Sequence, residues 1–138
     1  MLNDAARELV RSGAYGHLVT LDPDCRPHVT LAWFDVVGDE LLFATLFDQR
    51  KLANLRHDPR VVVSFESSHV NEHGLRPYLV VSGVATVTEG GAPALLQHLA
   101  HRYLGPDVNF PPMPSPPEGY VTRIAVDAVG GVGPWSDR

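Results

Sequence analysis

Gln49–Phe65, QRKLANLRHDPRVVVSF, is the stretch whose reading decides the fold. Its first half has helical spacing: Asp48 stands ready as an N-cap, Leu52 and Leu55 form an apolar face, and Pro59 ends the helix. Its second half, Arg60–Glu66, is a β-branched run that reads as a strand. The segment also carries Arg50, Lys51, Arg56 and Arg60, four of the eleven basic residues of a chain whose net charge is -5, and Lys51 is the only lysine. Arg50 and Lys51 fall in the first helical turn, where the backbone already presents roughly half a positive charge and free N–H groups. Cations placed there add to a positive end and suit a bound anion such as phosphate. Pairing of these cations with Asp48 and Asp58 on a solvated helix is the plainer alternative.

Outward from this segment the chain alternates short strands with turns. Residues 3–13 read as a helix capped by Asn3 or Asp4, with Ala5, Ala6, Leu9 and Val10 as its stripe and Gly13 at its end. HLVTL (17–21), the turn DPDCRP (22–27) and HVTLAWFDVV (28–37) give two strands. The second is apolar on both sides, as a strand buried on both faces would be. GDE (38–40) turns into LLFATLF (41–47). After Glu66 come a polar loop (67–77), a long strand (78–90) and a helix (92–105). Gly83 inside that strand marks a bulge or a close backbone approach, and Gly105 sits at C′ of the helix. Residues 106–119 hold six prolines in fourteen and can be neither helix nor central strand; the loop either walls a pocket or simply connects. A strand (120–129) and a glycine-rich tail (130–138), expected to be flexible, close the chain. Six strands with hairpin spacing and two or three helices describe one domain spanning 1–138: a small, mostly antiparallel barrel with helices outside it.

Composition narrows the function. A net charge of -5 argues against nucleic acid and anionic membrane as partners, and few aromatics interleave with Arg as an oligonucleotide-binding barrel would need. No stretch approaches about 18 apolar residues, and no signal peptide pattern opens the chain. One cysteine, Cys25, excludes an internal disulfide and fits a cytoplasmic protein. Of seven histidines, His69 and His73 lie in a loop and His98 and His101 on a helix edge, without the further ligands a zinc site wants, so no metal is expected.

Strand, hairpin, strand, then an Arg-Lys helix ending in NLRHDPRV (54–61) and another strand resembles the pyridoxamine 5′-phosphate oxidase-like superfamily. The likeness covers about residues 5 to 130, and GHLVTLDPDCRPHVTLAWF (16–34) shares it. The resemblance implies a split β-barrel that is a homodimer, with FMN or the deazaflavin coenzyme F420 at the subunit interface. It implies that His28, Thr30, Leu31, Ala32 and Trp33, with Phe43, Ala44 and Thr45, hold the ring, largely through backbone. Arg50 and Lys51 match the pair that grips the phosphate, and Asn54 lies one turn on. Tyr78 falls where the family reaches across the dimer, and Trp135 where a C-terminal tail approaches the cofactor. The tail GGVGPWSDR (130–138) lacks the Arg-x-His pattern of the vitamin B6 oxidases, and its Gly-Pro-Trp resembles the flavin/deazaflavin oxidoreductases, many of which use F420. The expectation is an F420-dependent oxidoreductase acting on a small organic substrate. The alternatives are an FMN-dependent enzyme of this fold and a non-catalytic flavin- or haem-binding split barrel. A ring cofactor carries hydride chemistry itself, so no acid–base constellation is required, and none stands out.

Overall fold

The computed structural model describes residues 1–136. Three helices, α1 (Asp4–Arg11), α2 (Arg50–His57) and α3 (Ala92–Tyr103), accompany seven strands. These are β1 (Gly16–Leu21), β2 (Pro27–Ala32), β3 (Asp35–Val37), β4 (Glu40–Thr45), β5 (Arg60–Glu66), β6 (Tyr78–Glu89) and β7 (Tyr120–Val132). They form one antiparallel sheet in the order β2-β1-β5-β6-β7-β4-β3.

That order carries the main correction to the sequence reading. HVTLAWFDVV is two strands, β2 and β3, and they lie at opposite edges of the sheet. Only Trp33 and Phe34 separate them, so the chain between Ala32 and Asp35 spans at most about 11 Å. Edges tethered that closely force the sheet to curl on itself without pairing at the seam, which is a split barrel. β2 is also not buried on both faces: Val29 and Leu31 are 58% and 59% exposed, while His28, Thr30 and Ala32 face inward.

The barrel interior is filled by fully buried Leu18, Leu41, Phe43, Val63, Phe65, Leu79, Val81 and Ile124. Phe34, in the tether, stands edge-on to Phe43 and Phe65 at centroid distances of 5.5 and 5.4 Å. Leu52 and Leu55 of α2 and Ala6, Leu9 and Val10 of α1 join the same core. Asn3 caps α1 by accepting from the Ala6 N–H, which settles the choice between Asn3 and Asp4. Gly83 meets both expectations. The register slips at Ser82/Gly83, leaving Asp127 as the extra residue of a bulge, and a Cβ at Gly83 would collide with the Ala125 carbonyl. The C-terminal segment differs from the free tail expected from 130 onward. Gly130–Val132 belong to β7, and Trp135 is buried with its Nε1 donating to the Tyr78 carbonyl. Residues 137–138 of that tail lie outside the described residues.

Candidate functional site

A cavity of about 350 Å³ opens at the seam, where β2 and β4 diverge under the proline-rich loop. Leu31, Ala32 and Ala44 form its strand walls; Thr45, Gln49 and Lys51 form its polar end; Tyr15, Trp33, Leu46, Phe47, Leu96 and Phe110 form the rest. The volume lies within the usual range for small-molecule sites, and the lining is apolar with a few polar groups.

The polar end is built by the start of α2. Gln49, not Asp48, is the N-cap, and its side chain makes no capping bond. Asp48 is drawn instead to Arg56, with Nη1 at 2.9 Å, so the capping role expected of it is lost to a charge partner one helical length away. The first turn contains no acidic residue. Gln49 and Lys51 bring this start of α2 to the cavity end without a carboxylate, and a helix start of that kind favours an anion.

Lys51 is only 8% exposed, and its ammonium makes no ion pair or hydrogen bond among the described residues. It sits 5.4 Å from the centroid of buried Phe43, and desolvation lowers its pKa below the usual lysine range. The hydroxyl of Thr45, at the end of β4, is buried and partnerless as well. A buried cation and a buried hydroxyl, both unmatched and both lining one cavity, fit a phosphate oxygen cluster: the ammonium and the hydroxyl can donate to it, and so can the helix N–H groups.

Arg50 and Asn54 turn elsewhere. The Arg50 guanidinium grips Asp22 through Nε (2.9 Å to Oδ1) and through Nη2 to Oδ2. Asn54, 2% exposed, donates to Thr20 Oγ1 at 3.1 Å and to Asp22 Oδ1 at 3.0 Å. These bonds hold the Asp22 carboxyl below its usual pKa, that from Arg50 most strongly, and pin α2 to the β1–β2 turn. Neither residue lines the cavity.

The other residues implied by the resemblance divide as follows. Leu31, Ala32, Trp33, Ala44 and Thr45 line the cavity, and Phe43 lies beneath Lys51. His28 and Thr30 share the inward face of β2 but do not line it; His28 Nδ1 and Thr30 Oγ1 are buried without partners. Tyr78 is 44% exposed at the start of β6, and Trp135 is joined to it; neither lines the cavity of its own chain. The sequence reading missed Tyr15, Leu46, Phe47, Gln49, Leu96 and Phe110 as lining residues. Tyr15 and Phe110 come from irregular segments without periodicity, and Leu96 was legible only as part of a helical stripe.

Comparison with known proteins agrees with this architecture. The pyridoxamine 5′-phosphate oxidase family profile matches residues 2–133. A solved structure described as an F420 reductase is 26% identical, covering 90% of this chain and 94% of its own at a TM-score of 0.71. The conserved hypothetical protein Rv2991 from Mycobacterium tuberculosis is 27% identical, covering 95% of this chain and 84% of its own at 0.72. HupZ from Group A Streptococcus shares the fold at 16% identity, covering 100% of this chain and 99% of its own at 0.68. Among curated proteins none matches.

Proposed function

The chain belongs to the pyridoxamine 5′-phosphate oxidase family, and from that premise we propose that it is an oxidoreductase that binds the deazaflavin coenzyme F420 in the seam cavity. The observation that carries the reading is the unmatched Lys51 ammonium beside the uncapped start of α2 and the partnerless Thr45 hydroxyl. The phosphate of the coenzyme completes all three. Leu31, Ala32 and Ala44 then lie along the ring, held against strands whose backbone is fixed by pairing. The 26% identity to a structure described as an F420 reductase favours the deazaflavin. When bound and reduced, the ring supplies a hydride, two electrons and one proton, and a small organic substrate takes its second proton from water. This chain's residues bind, orient and exclude solvent.

The cofactor site extends to a second copy of the chain. Val29, Leu31, Val62, Val84 and Val132 are exposed on the sheet, and Val29, Val19 and Val62 stand in one cross-strand row. A homodimer through this apolar face removes them from water and brings Tyr78 of the second copy toward the seam. Among the described residues no helix is long and apolar enough to cross a membrane. The exposed, unpaired Cys25 suits the cytoplasm.

FMN is the second reading, because its phosphate meets the same three groups and the family is one of flavin-type oxidases. Titration of the purified protein with F420 and with FMN, followed by ligand absorbance and tryptophan fluorescence, separates them. Saturable F420 binding that Lys51→Ala weakens at least tenfold supports the proposal. Binding of FMN alone transfers it to the second reading, and binding of neither at tens of micromolar overturns both.

A further inference from the structure

We infer that His101 governs the proline-rich loop: with its imidazole neutral, Gln97 latches the loop over the seam cavity, and protonation of His101 releases it. The Gln97 carboxamide, on α3, bonds the loop twice. Its Nε2 donates to the Val108 carbonyl at 2.8 Å, and its Oε1 accepts the Phe110 N–H at 2.7 Å. Prolines remove N–H donors from much of this loop, and the Phe110 N–H is one it retains. Among the described residues no other hydrogen bond reaches the backbone of residues 109–117. The next tie is the Glu118 carbonyl, which accepts the Ala92 N–H at 2.9 Å at the start of α3. The loop is therefore a strap held midway by one side chain. The latched residue shapes the cavity, because the Phe110 ring lines it and stands against Trp33 at a centroid distance of 5.3 Å.

His101 lies one helical turn beyond Gln97, and the two side chains meet Nε2 to Nε2 at 2.6 Å. The loop bonds fix which way the amide faces. A backbone carbonyl only accepts and a backbone N–H only donates, so the amide nitrogen faces Val108 and its oxygen faces Phe110. The second Nε2 hydrogen of Gln97 then points at His101, whose Nε2 must accept it. Only the neutral ring with its proton on Nδ1 can do so. The imidazolium carries N–H groups on both nitrogens and sets donor against donor at this contact. Its Nε2–H is satisfied when the amide turns over and offers Oε1, which makes a charge-assisted bond of the stronger kind. The turned amide places oxygen against the Val108 carbonyl and N–H against the Phe110 N–H, so both loop bonds are lost together. No neighbouring charge competes for the ring. On α3, His98 and Arg102 turn to Asp35, at 3.4 and 3.2 Å. On β4 and β7, which pack against α3, Glu40 and Arg123 pair with each other at 3.8 Å. The carboxylates of the loop, Asp107 and Glu118, are exposed and form no ion pair with His101 among the described residues.

Hydrogen exchange at the Phe110 amide, followed by NMR and expressed as a protection factor so that the intrinsic pH dependence drops out, reads the latch directly. The measurement uses the ligand-free protein and is independent of what the cavity holds. Protection should fall about tenfold from about pH 7.5 to about pH 5, the range in which imidazole titrates. His101 is exposed and Gln97 half-buried, so their variants are expected to fold, as circular dichroism at both pH values will check. His101→Gln, whose carboxamide oxygen accepts from Gln97 at either pH, should keep protection high throughout. Gln97→Ala should leave it low throughout. Gln97→Glu should reverse the sign, because its carboxylate accepts from the charged ring and from the Phe110 N–H together and so protects best at the lower pH. His98→Gln, which removes the other imidazole of α3, should leave the wild-type fall in place. Equal protection at the two pH values in the wild type overturns the inference, since the charged ring then turns into solvent and leaves the latch closed. A fall that persists in His101→Gln, or vanishes in His98→Gln, overturns it as well by assigning the pH dependence to another group.

Discussion

Arg50 and Lys51 share a peptide bond, and their charges meet opposite surroundings. Successive helical residues point about 100° apart, so one turns to the β1–β2 hairpin and the other to the seam. On the hairpin side the polar groups that α2 presents are matched: Arg50 with Asp22, Asn54 with Asp22 and Thr20. On the seam side Lys51 rests on Phe43, Thr45 has no partner, and the helix start lacks a side-chain cap. The contrast separates a concentration of charge from a site. Charge that the fold itself satisfies holds α2 in place. Charge that it leaves unsatisfied is available to a ligand.

The largest expected effect tests the unsatisfied side. Lys51→Ala removes a charge-assisted contact to phosphate worth about 2 kcal/mol, a loss of about thirtyfold in cofactor affinity by fluorescence titration. The matched side responds in stability instead. Asn54→Ala leaves the buried Thr20 hydroxyl and one Asp22 oxygen without that donor, and urea unfolding should show a loss of about 1.5 kcal/mol. Removing the burden of a buried, unpaired ammonium works in the opposite direction. Lys51→Met should stabilise the ligand-free protein by about 1 kcal/mol while it abolishes phosphate recognition. A Lys51→Met protein that is less stable than wild type would mean the ammonium has a partner of its own, and the contrast would fail there.

The same lysine gives the alkaline behaviour a sign. Its folded pKa lies below the unfolded value of 10.5 because burial disfavours the charged form. Between those values the unfolded chain binds more protons at this group, so the Lys51 contribution to stability rises with pH and levels off near 10.5, while Tyr103, raised above 10.0 by burial, contributes a fall at the top of that range. That rise should be absent from Lys51→Met. Arg50→Ala ranks below these changes: a few-fold loss of cofactor affinity, because Arg50 must leave Asp22 before it can reach a phosphate. A loss as large as that of Lys51→Ala would show that the two residues grip the ligand together, as the family resemblance implies.

How much of this was legible in the sequence follows from the range of the interactions. Strands bounded by turns, such as β4 after GDE, and helix ends marked by Pro59 and Gly105 are local events, and they read correctly. The division of HVTLAWFDVV into β2 and β3 was not legible, because an apolar strand that leaves one sheet edge for the other keeps the same composition throughout. Lys51 was conspicuous as charge at a helix start. The capture of Arg50 by Asp22, 28 residues away, was not, nor was the loss of Asp48 to Arg56. Phe110 enters the cavity only because Gln97 holds its loop, and no spacing within the proline-rich segment announces that.

The smallest effect belongs to acid. Asp58 lies next to Arg60, whose guanidinium and backbone N–H bond it and hold its carboxyl down to about 2. Asp22 is lowered in the same direction by Arg50 and Asn54. For both, the folded pKa is below the unfolded value of 3.8, so their contribution is complete above 3.8 and is lost as pH falls through the folded value. The arginine of each pair is open to solvent, so each contribution is modest and screened by salt. Asp58→Asn and Asp22→Asn should each flatten the fall in stability between pH 4 and about 2, and neither should touch the alkaline rise that depends on Lys51. Asp39, held down by the Leu2 N–H, accounts for slope that survives both changes. Stability followed by urea unfolding across both limbs therefore assigns the acid side to groups the fold satisfies, and the part of the alkaline side that Lys51→Met removes to the one it does not. An acid limb that persists unchanged in Asp22→Asn would detach that carboxylate from Arg50 and leave Arg50 as free for a ligand as Lys51.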